Sequence, residues 1–536
     1  MAVSQPFSVA LVGGLVKSTN SSALLKTPGV ATKLRNFEVS DEGTYRRING
    51  FTLFGDTLPN TTKDIEGLLV YADGVIAVAG DDIFFSQDGE STWLQLNKAS
   101  VASGGDNYSA FTGRSELALT SVDQCEFAIF EGASDFGEVV ITDKSGNNKP
   151  FLFKMTGTSA NLSARTYFAS QIDVVVDGST TAKFCTIHDQ HLVVAGDPAT
   201  PNTIYYSGTN DIDNFGSTGS GAVTLEDKVV GLKSFRNELF IFCQNSIFKL
   251  QNINNASTVA VVPVTKNVGC LDGQTIQEIA GDLIFLAPDG FRTVAGTSRI
   301  GDVELGTISQ AIQPLINDIA AASNTLQFSS VVLRDKSQYR MFYSTSSDTS
   351  KTSKGIIGTL RPKGFEWSET LGIQAPAITS GFDNTGTEKV YHGDRDGKIY
   401  NHNTGNNFNG ANIEAEYQSP DYDYGDLGTL KTLDYAKISF TPEGDAQPTL
   451  RIRFDYDSLD TPQPADVVLT EIPEPAIFGL AVFASGQKFG ASEQPLVRQS
   501  LTGSGHSNFF KIFSADTNAP YSINGLYINY RPSGRQ

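Results

Sequence analysis

The chain has 536 residues, a formal net charge of −19, a pI near 4.7 and only 18% charged residues. That length is enough for two or three domains with real cores, and low charge with abundant Gly, Ser, Thr and Phe favours strands and turns over helices. The acidity argues against a nucleic-acid binder, which needs Lys and Arg on phosphates, and no apolar run is long enough for a membrane span.

In chain order, residues 1–60 read as an N-terminal strap with first strands. Phe7 to Val16 is mostly apolar, but no basic residue precedes it, so no signal peptide is expected. Gly13 and Gly14 follow, then LRNFE at Leu34 to Glu38 and EGTYRRINGF at Glu42 to Phe51. Arg46 and Arg47 are candidates for an interface, as ion pairs to a neighbouring subunit or ring. The alternative is that they satisfy local carboxylates such as Asp41 and Glu42.

Residues 61–408 read as a β-propeller. An apolar strand, short polar turn, apolar strand unit recurs from Gly74, Cys125, His191, Glu238, Asp282, Gln338 and Val390. The spacing suits four-stranded blades, and about seven visible units give a range of six to eight. Asp289-Gly290 and Asp396-Gly397 are hairpin signals. Ile83 to Ser86, Ile204 to Ser207 and Met341 to Ser344 share an apolar–aromatic–aromatic–Ser edge, read as one blade position repeated. The loop Asp213 to Ala222, with Asp213, Ser217 and Gly219, is the candidate channel loop. Ile308, Ile312, Leu315, Ile316 and Ile319 fall on one face of a helix over 307–322, capped by Thr307 or Ser309, with Pro314 at a kink or at its true first turn.

Residues 409–536 read as an antiparallel β-sandwich. Alternating strands start at Ile413, Leu430 and Pro448 and recur near the C-terminal end. A proline-rich stretch from Asp460 to Pro475 reads as an extended loop.

The two ends carry a resemblance. Gly13-Gly14, LRNFE and EGTYRRINGF, together with GSGHSNFFKIFSADTNAPYSINGLYINYRPSGR at Gly503 to Arg535, resemble the tail-nozzle or packaged-DNA stabilisation proteins of short-tailed bacteriophages. The resemblance covers about 90 residues well and the remainder loosely. It implies a structural virion protein: a homo-hexameric ring below an adaptor ring and portal. Such a ring retains packaged DNA, lets double-stranded DNA pass at ejection, and carries tail fibres or spikes. The rival reading is a receptor- or glycan-binding propeller of a tail fibre or spike.

Signals for chemistry are sparse, so no enzyme activity, cofactor or metal is expected. Cys125, Cys185, Cys243 and Cys270 lack C-x-x-C spacing and read as buried thiols. His188 and His191 form H-x-x-H, which on one strand points to opposite faces. Asp421, Asp423 and Asp426, and Asp394 with Asp396, are turn carboxylates without EF-hand spacing. Ser86 to Trp93 (SQDGESTW) is similar to an Asp-box of sialidase-type propellers, with Gly89 one place early; an Asp-box is a folding turn. No pair of carboxylates is singled out for glycoside hydrolysis.

Overall fold

A computed structural model of the chain describes residues 4–535, apart from 21–22, 60–62, 88–91, 97–107, 111–116, 132–135, 159–161, 163–164, 175–180, 256, 296–306, 346–352, 384, 471 and 473–493. Strands dominate. Six sheets stand alone as propeller blades: 65–96, 125–171, 184–224, 229–265, the three-stranded 277–293, and 377–402. They are blades 1 to 6. A four-stranded meander, 326–371, stands in the same ring between blades 5 and 6 but runs on into a nine-stranded sheet. The seven hairpins seen in the sequence thus fall in seven different sheets.

Each blade is an antiparallel meander whose first strand faces the axis. Ile65–Tyr71 touches Cys125–Phe130 on one side and Ala377–Phe382 on the other, and the contacts continue around a closed ring. In blades 1 to 5 the second strands are buried on both faces. Gly74–Ala79 and His191–Ala195 are buried throughout, which is why they read as unbroken apolar runs instead of alternating ones. In blades 3 and 4 the first turn places both residues left-handed, Asp189-Gln190 and Arg236-Asn237, as two-residue hairpins with type I′ twist require.

The N-terminal strap joins everything. Gln5–Ala10 pairs with Gly525 to Tyr530. Lys33–Arg35 sits between the meander and strand Ile413–Gln418, merging them into the nine-stranded sheet. Tyr45–Arg47 pairs with Ser522 and Ile523, and Phe51–Leu53 adds the outer strand of blade 6. Two strap glycines have steric reasons. A Cβ on Gly14, at φ +69°, would lie 2.9 Å from the Trp367 nitrogen, and one on Gly50 would overlap the Asn407 carbonyl at 1.8 Å.

The sandwich packs the seven-stranded sheet, with Thr429–Pro442 and Tyr521–Arg535 at its centre, on the Ile413–Gln418, Asn508–Asp516 and Thr449–Phe454 part of the nine-stranded sheet. Leu433, Ala436, Ile438 and Phe440 face Tyr417, Leu450, Phe510 and Ile512 in one core. One buried face per strand produces the alternation visible in the sequence. The same core takes in the helix Gln313–Ala322 through Ile316 and Ile319, and Ile312 just before it.

Three local expectations are corrected. Ser309 does not cap the helix, because its hydroxyl accepts from the Phe291 N–H; a 3-10 turn at Gln310–Ile312 leads in, and Pro314 lies in the helix's first turn. The Ile83 to Ser86 and Ile204 to Ser207 edges are third strands of blades 1 and 3, but Met341 to Ser344 lies on the second strand of the meander. His188 and His191 are not on one strand. They face each other across the Asp189-Gln190 turn, His188 bonded to Ser234 and His191 to Ser207 and Asn254.

Candidate functional site

Arg46 and Arg47 lie where strap, sandwich and propeller meet. Arg46 bonds Glu38 at 2.7 Å, Glu443 at 2.6 Å and Asn49 at 2.9 Å. Arg47, 1% exposed, donates to the Asp516 carboxylate and to its carbonyl, both at 2.6 Å, and to the Asn518 carbonyl. Neither arginine uses Asp41 or Glu42: Arg46 takes the nearby Glu38 and Asn49 together with the distant Glu443, and Arg47 takes the distant Asp516 and Asn518. Both guanidiniums are occupied inside the subunit, and Arg47 has no surface to offer a neighbour.

Glu38 is the centre of this junction. It is 2% exposed and also accepts from Lys336 and Arg340, each at 2.8 Å. Burial would raise its carboxyl, but Lys336, Arg340 and Arg46 overcome that and hold it at about 2. Arg340 reaches on to the His402 Nε2 at 3.0 Å, and His402 Nδ1 lies 3.2 Å from His392 Nδ1. Burial pushes His392 down to about 3, and burial with the neighbouring His392 and Arg340 holds His402 well below the usual imidazole range. The cluster therefore links the strap hairpin, the meander and blade 6 through one carboxylate.

Asp213, Ser217 and Gly219 belong to the loop between the third and outer strands of blade 3. Ile212 and Phe215 anchor it among Ala128, Val140, Leu152 and Leu192, between blades 2 and 3. The Gly208 N–H donates to the Asn214 carbonyl and the Ser220 hydroxyl to the Phe215 carbonyl, so the loop is tied down at both ends. None of the three residues lines the propeller axis.

The axis itself holds a polar cavity of about 250 Å³, lined by first-strand residues including Glu66, Glu126, Thr186 and Lys233. Gln124 belongs both to this cavity and to a wider recess of about 940 Å³ at one mouth, where Lys183 and Lys228 sit. Glu66 is the extra residue of a β-bulge between Ile65 and Gly67, and Val230 repeats that bulge in blade 4; such bulges re-aim side chains. Burial pushes the Glu66 carboxyl up to about 7 against the Gln124 N–H it accepts. Burial also raises Glu126 to about 7, opposed mainly by Lys144. Lys144 is itself bound to Asp272 at 2.7 Å and to Gln124 at 3.0 Å.

Sequence reasoning missed this cavity, because its residues come from different blades. The available signal was a charge inside an apolar strand, as in Glu126 of CEFAIF and Lys233 of VVGLKSF.

The acidic loops are turns. The Asp394 carboxylate accepts from the Asp396 and Lys398 N–H groups and the Tyr400 hydroxyl. Asp423 and Asp426 accept from Gly425 and Gly428 in the same manner. Among the described residues no group of three or more His, Cys, Asp or Glu side chains is placed to hold a metal ion. Residues 88–91 of the Asp-box-like segment lie outside the described residues; Ser86 donates to the Thr92 carbonyl.

No protein family matches this sequence, and neither does any curated protein. Among solved structures, the computationally designed Ika8 protein is similar over 65% of this chain and 98% of its own, at 10% identity and a TM-score of 0.33. An exo-β-1,3-galactanase from Phanerochaete chrysosporium is similar over 90% of this chain and 100% of its own, at 10% identity and 0.26. A family 43 arabinoxylan arabinofuranohydrolase from Bacillus subtilis covers 89% and 97%, at 8% identity and 0.26. At such scores these likenesses bear on neither activity nor ligand.

Proposed function

We propose that this protein is a structural subunit of a phage tail nozzle, a ring that continues a portal and adaptor channel. The observation that carries the reading is where the two resembling segments meet. Tyr45 and Arg46 of EGTYRRINGF pair with Ile523 and Ser522 of the C-terminal segment, in the sheet that also takes Gln5–Ala10. The two ends are therefore one unit, clasped to the propeller through Glu38 and Phe51. A clasped wall suits a part that carries load. With a net charge of −19, its surface repels passing DNA instead of gripping it. The nozzle reading includes a hexamer, adaptor contact above and fibres or spikes outside. The location is the virion tail.

The polar cavity on the axis favours a second reading, a propeller that binds receptor or glycan. Negative-stain imaging of the purified protein, alone and with its adaptor, separates the two. Six-fold rings with an axial channel are expected. Compact trimers, or monomers that never join a ring with the adaptor present, overturn the nozzle reading.

A further inference from the structure

Three side chains on the first strands of consecutive blades form an arc on the axial cavity: Glu126 from blade 2, Thr186 from blade 3 and Lys233 from blade 4. Among the described residues, the side chains of Lys233 and Thr186 make no hydrogen bond or ion pair. An ammonium without a partner inside a protein is expensive, and most such groups are paired. Lys233 and Glu126 influence each other electrostatically, yet they do not form an ion pair. The carboxyl of Glu126 instead accepts from the Cys185 backbone N–H. A cation, a carboxyl and a hydroxyl thus face shared space with hydrogen-bonding capacity to spare.

We propose that Lys233, Glu126 and Thr186 bind a small hydroxycarboxylic acid on the propeller axis, a single sugar acid being the type. Its carboxylate takes Lys233, and its hydroxyls take Thr186 and Glu126. A single negative charge fits better than a phosphate dianion, because Glu66 and Glu126 share the cavity and Glu278 also faces Lys233. At about 250 Å³ the cavity is smaller than drug-sized sites, which run roughly 300–1,000 Å³. It suits one ring. Access is from the recess that shares Gln124.

Proton uptake accompanies binding. Glu126 faces Lys144, Asp272 and Lys233, and burial holds its carboxyl protonated up to about pH 7. Lys233 faces Glu126, Glu278 and Arg334, and burial lowers its ammonium. Raising the pH through 7 ionises Glu126. The new negative charge repels a carboxylate.

The test is saturation-transfer NMR and calorimetry on the full chain, with D-glucuronate as probe and D-glucose as its uncharged counterpart. Glucuronate is expected to bind, more tightly at pH 6 than at pH 8, with glucose weaker by about tenfold or more, the value of one charge-assisted hydrogen bond. Lys233→Met should weaken glucuronate by a similar factor while melting with the wild type, since it removes an unpaired charge. Should that variant melt early, Thr186→Val takes its place and must still weaken glucuronate. No transfer to glucuronate, equal binding of glucose, or unchanged binding by the folded variants overturns the proposal. A nozzle subunit with an empty axis would still form rings, so the two proposals fail separately.

Discussion

Replacing Glu38 by Gln keeps the shape of the junction and removes its central carboxylate. Lys336 and Arg340 then lose their carboxylate partner, while Arg46 keeps only Glu443. The magnitude follows from the carboxyl's position: a fall from 4.5 to about 2 corresponds to roughly 3 kcal/mol at about 1.4 kcal/mol per unit. Breaking a buried ion pair by removing one partner loses about 3–5 kcal/mol, in agreement. Because the folded pKa is depressed, the stabilisation is complete above the unfolded value. It declines as the pH falls from about 4.5 through 2. Trp367 is a natural reporter, stacked between Phe291 and Phe365 and 1% exposed. Guanidinium unfolding followed by its emission, in a Trp93→Phe background, should show the Glu38→Gln variant weaker by about 3 kcal/mol at pH 7. The gap should shrink to about 0.5 kcal/mol near pH 2, where Glu38 is half protonated in the folded protein, and vanish below it. Variant and parent within about 0.5 kcal/mol at pH 7, or a gap that persists undiminished at pH 2, would refute the reasoning.

Above that acid limb lies a second one. His392 is held neutral, with a folded value of about 3 against 6.5, so its contribution is complete above pH 6.5 and is lost progressively as the pH falls toward 3. His392→Gln should flatten the slope of stability between pH 6.5 and 4.5; an unchanged slope would assign it elsewhere. Phe215→Ala opens a cavity between blades 2 and 3 and should lose about 3–5 kcal/mol in the same denaturation assay, whereas a purely surface loop would lose almost nothing. The four thiols are buried and free, and burial pushes Cys185, Cys243 and Cys270 up to about 12. Native protein should therefore resist Ellman's reagent, with all four cysteines reacting only in denaturant; rapid native labelling would contradict their placement.

Elements with local signatures were legible. Second strands such as LFIFC announce themselves because burial on both faces leaves no polar position, and LDYAKISF announces a half-buried strand by alternation. The junction was not legible, because the partner of Arg47 lies 469 residues away and nothing near RR encodes it. H-x-x-H misled for a local reason: two left-handed residues between the histidines turn one apparent strand into a hairpin. The axial arc was invisible because three blades each contribute one residue, with no fixed spacing between them.

The strap also dictates an order of events during synthesis. Strand Gln5–Ala10 emerges well before its partner in Tyr521–Arg535, about 500 residues later, or roughly 25–100 s at 5–20 residues per second. Phe51–Leu53 likewise waits for Ile399–His402 before blade 6 has its outer strand. Blades 1 to 4 are local meanders that can form as they appear. The nascent chain therefore carries finished blades between two unfinished edges for most of its synthesis. Those edges are exposed pairing templates while they wait. Association between growing chains is a hazard until the C-terminal strand arrives to cap them.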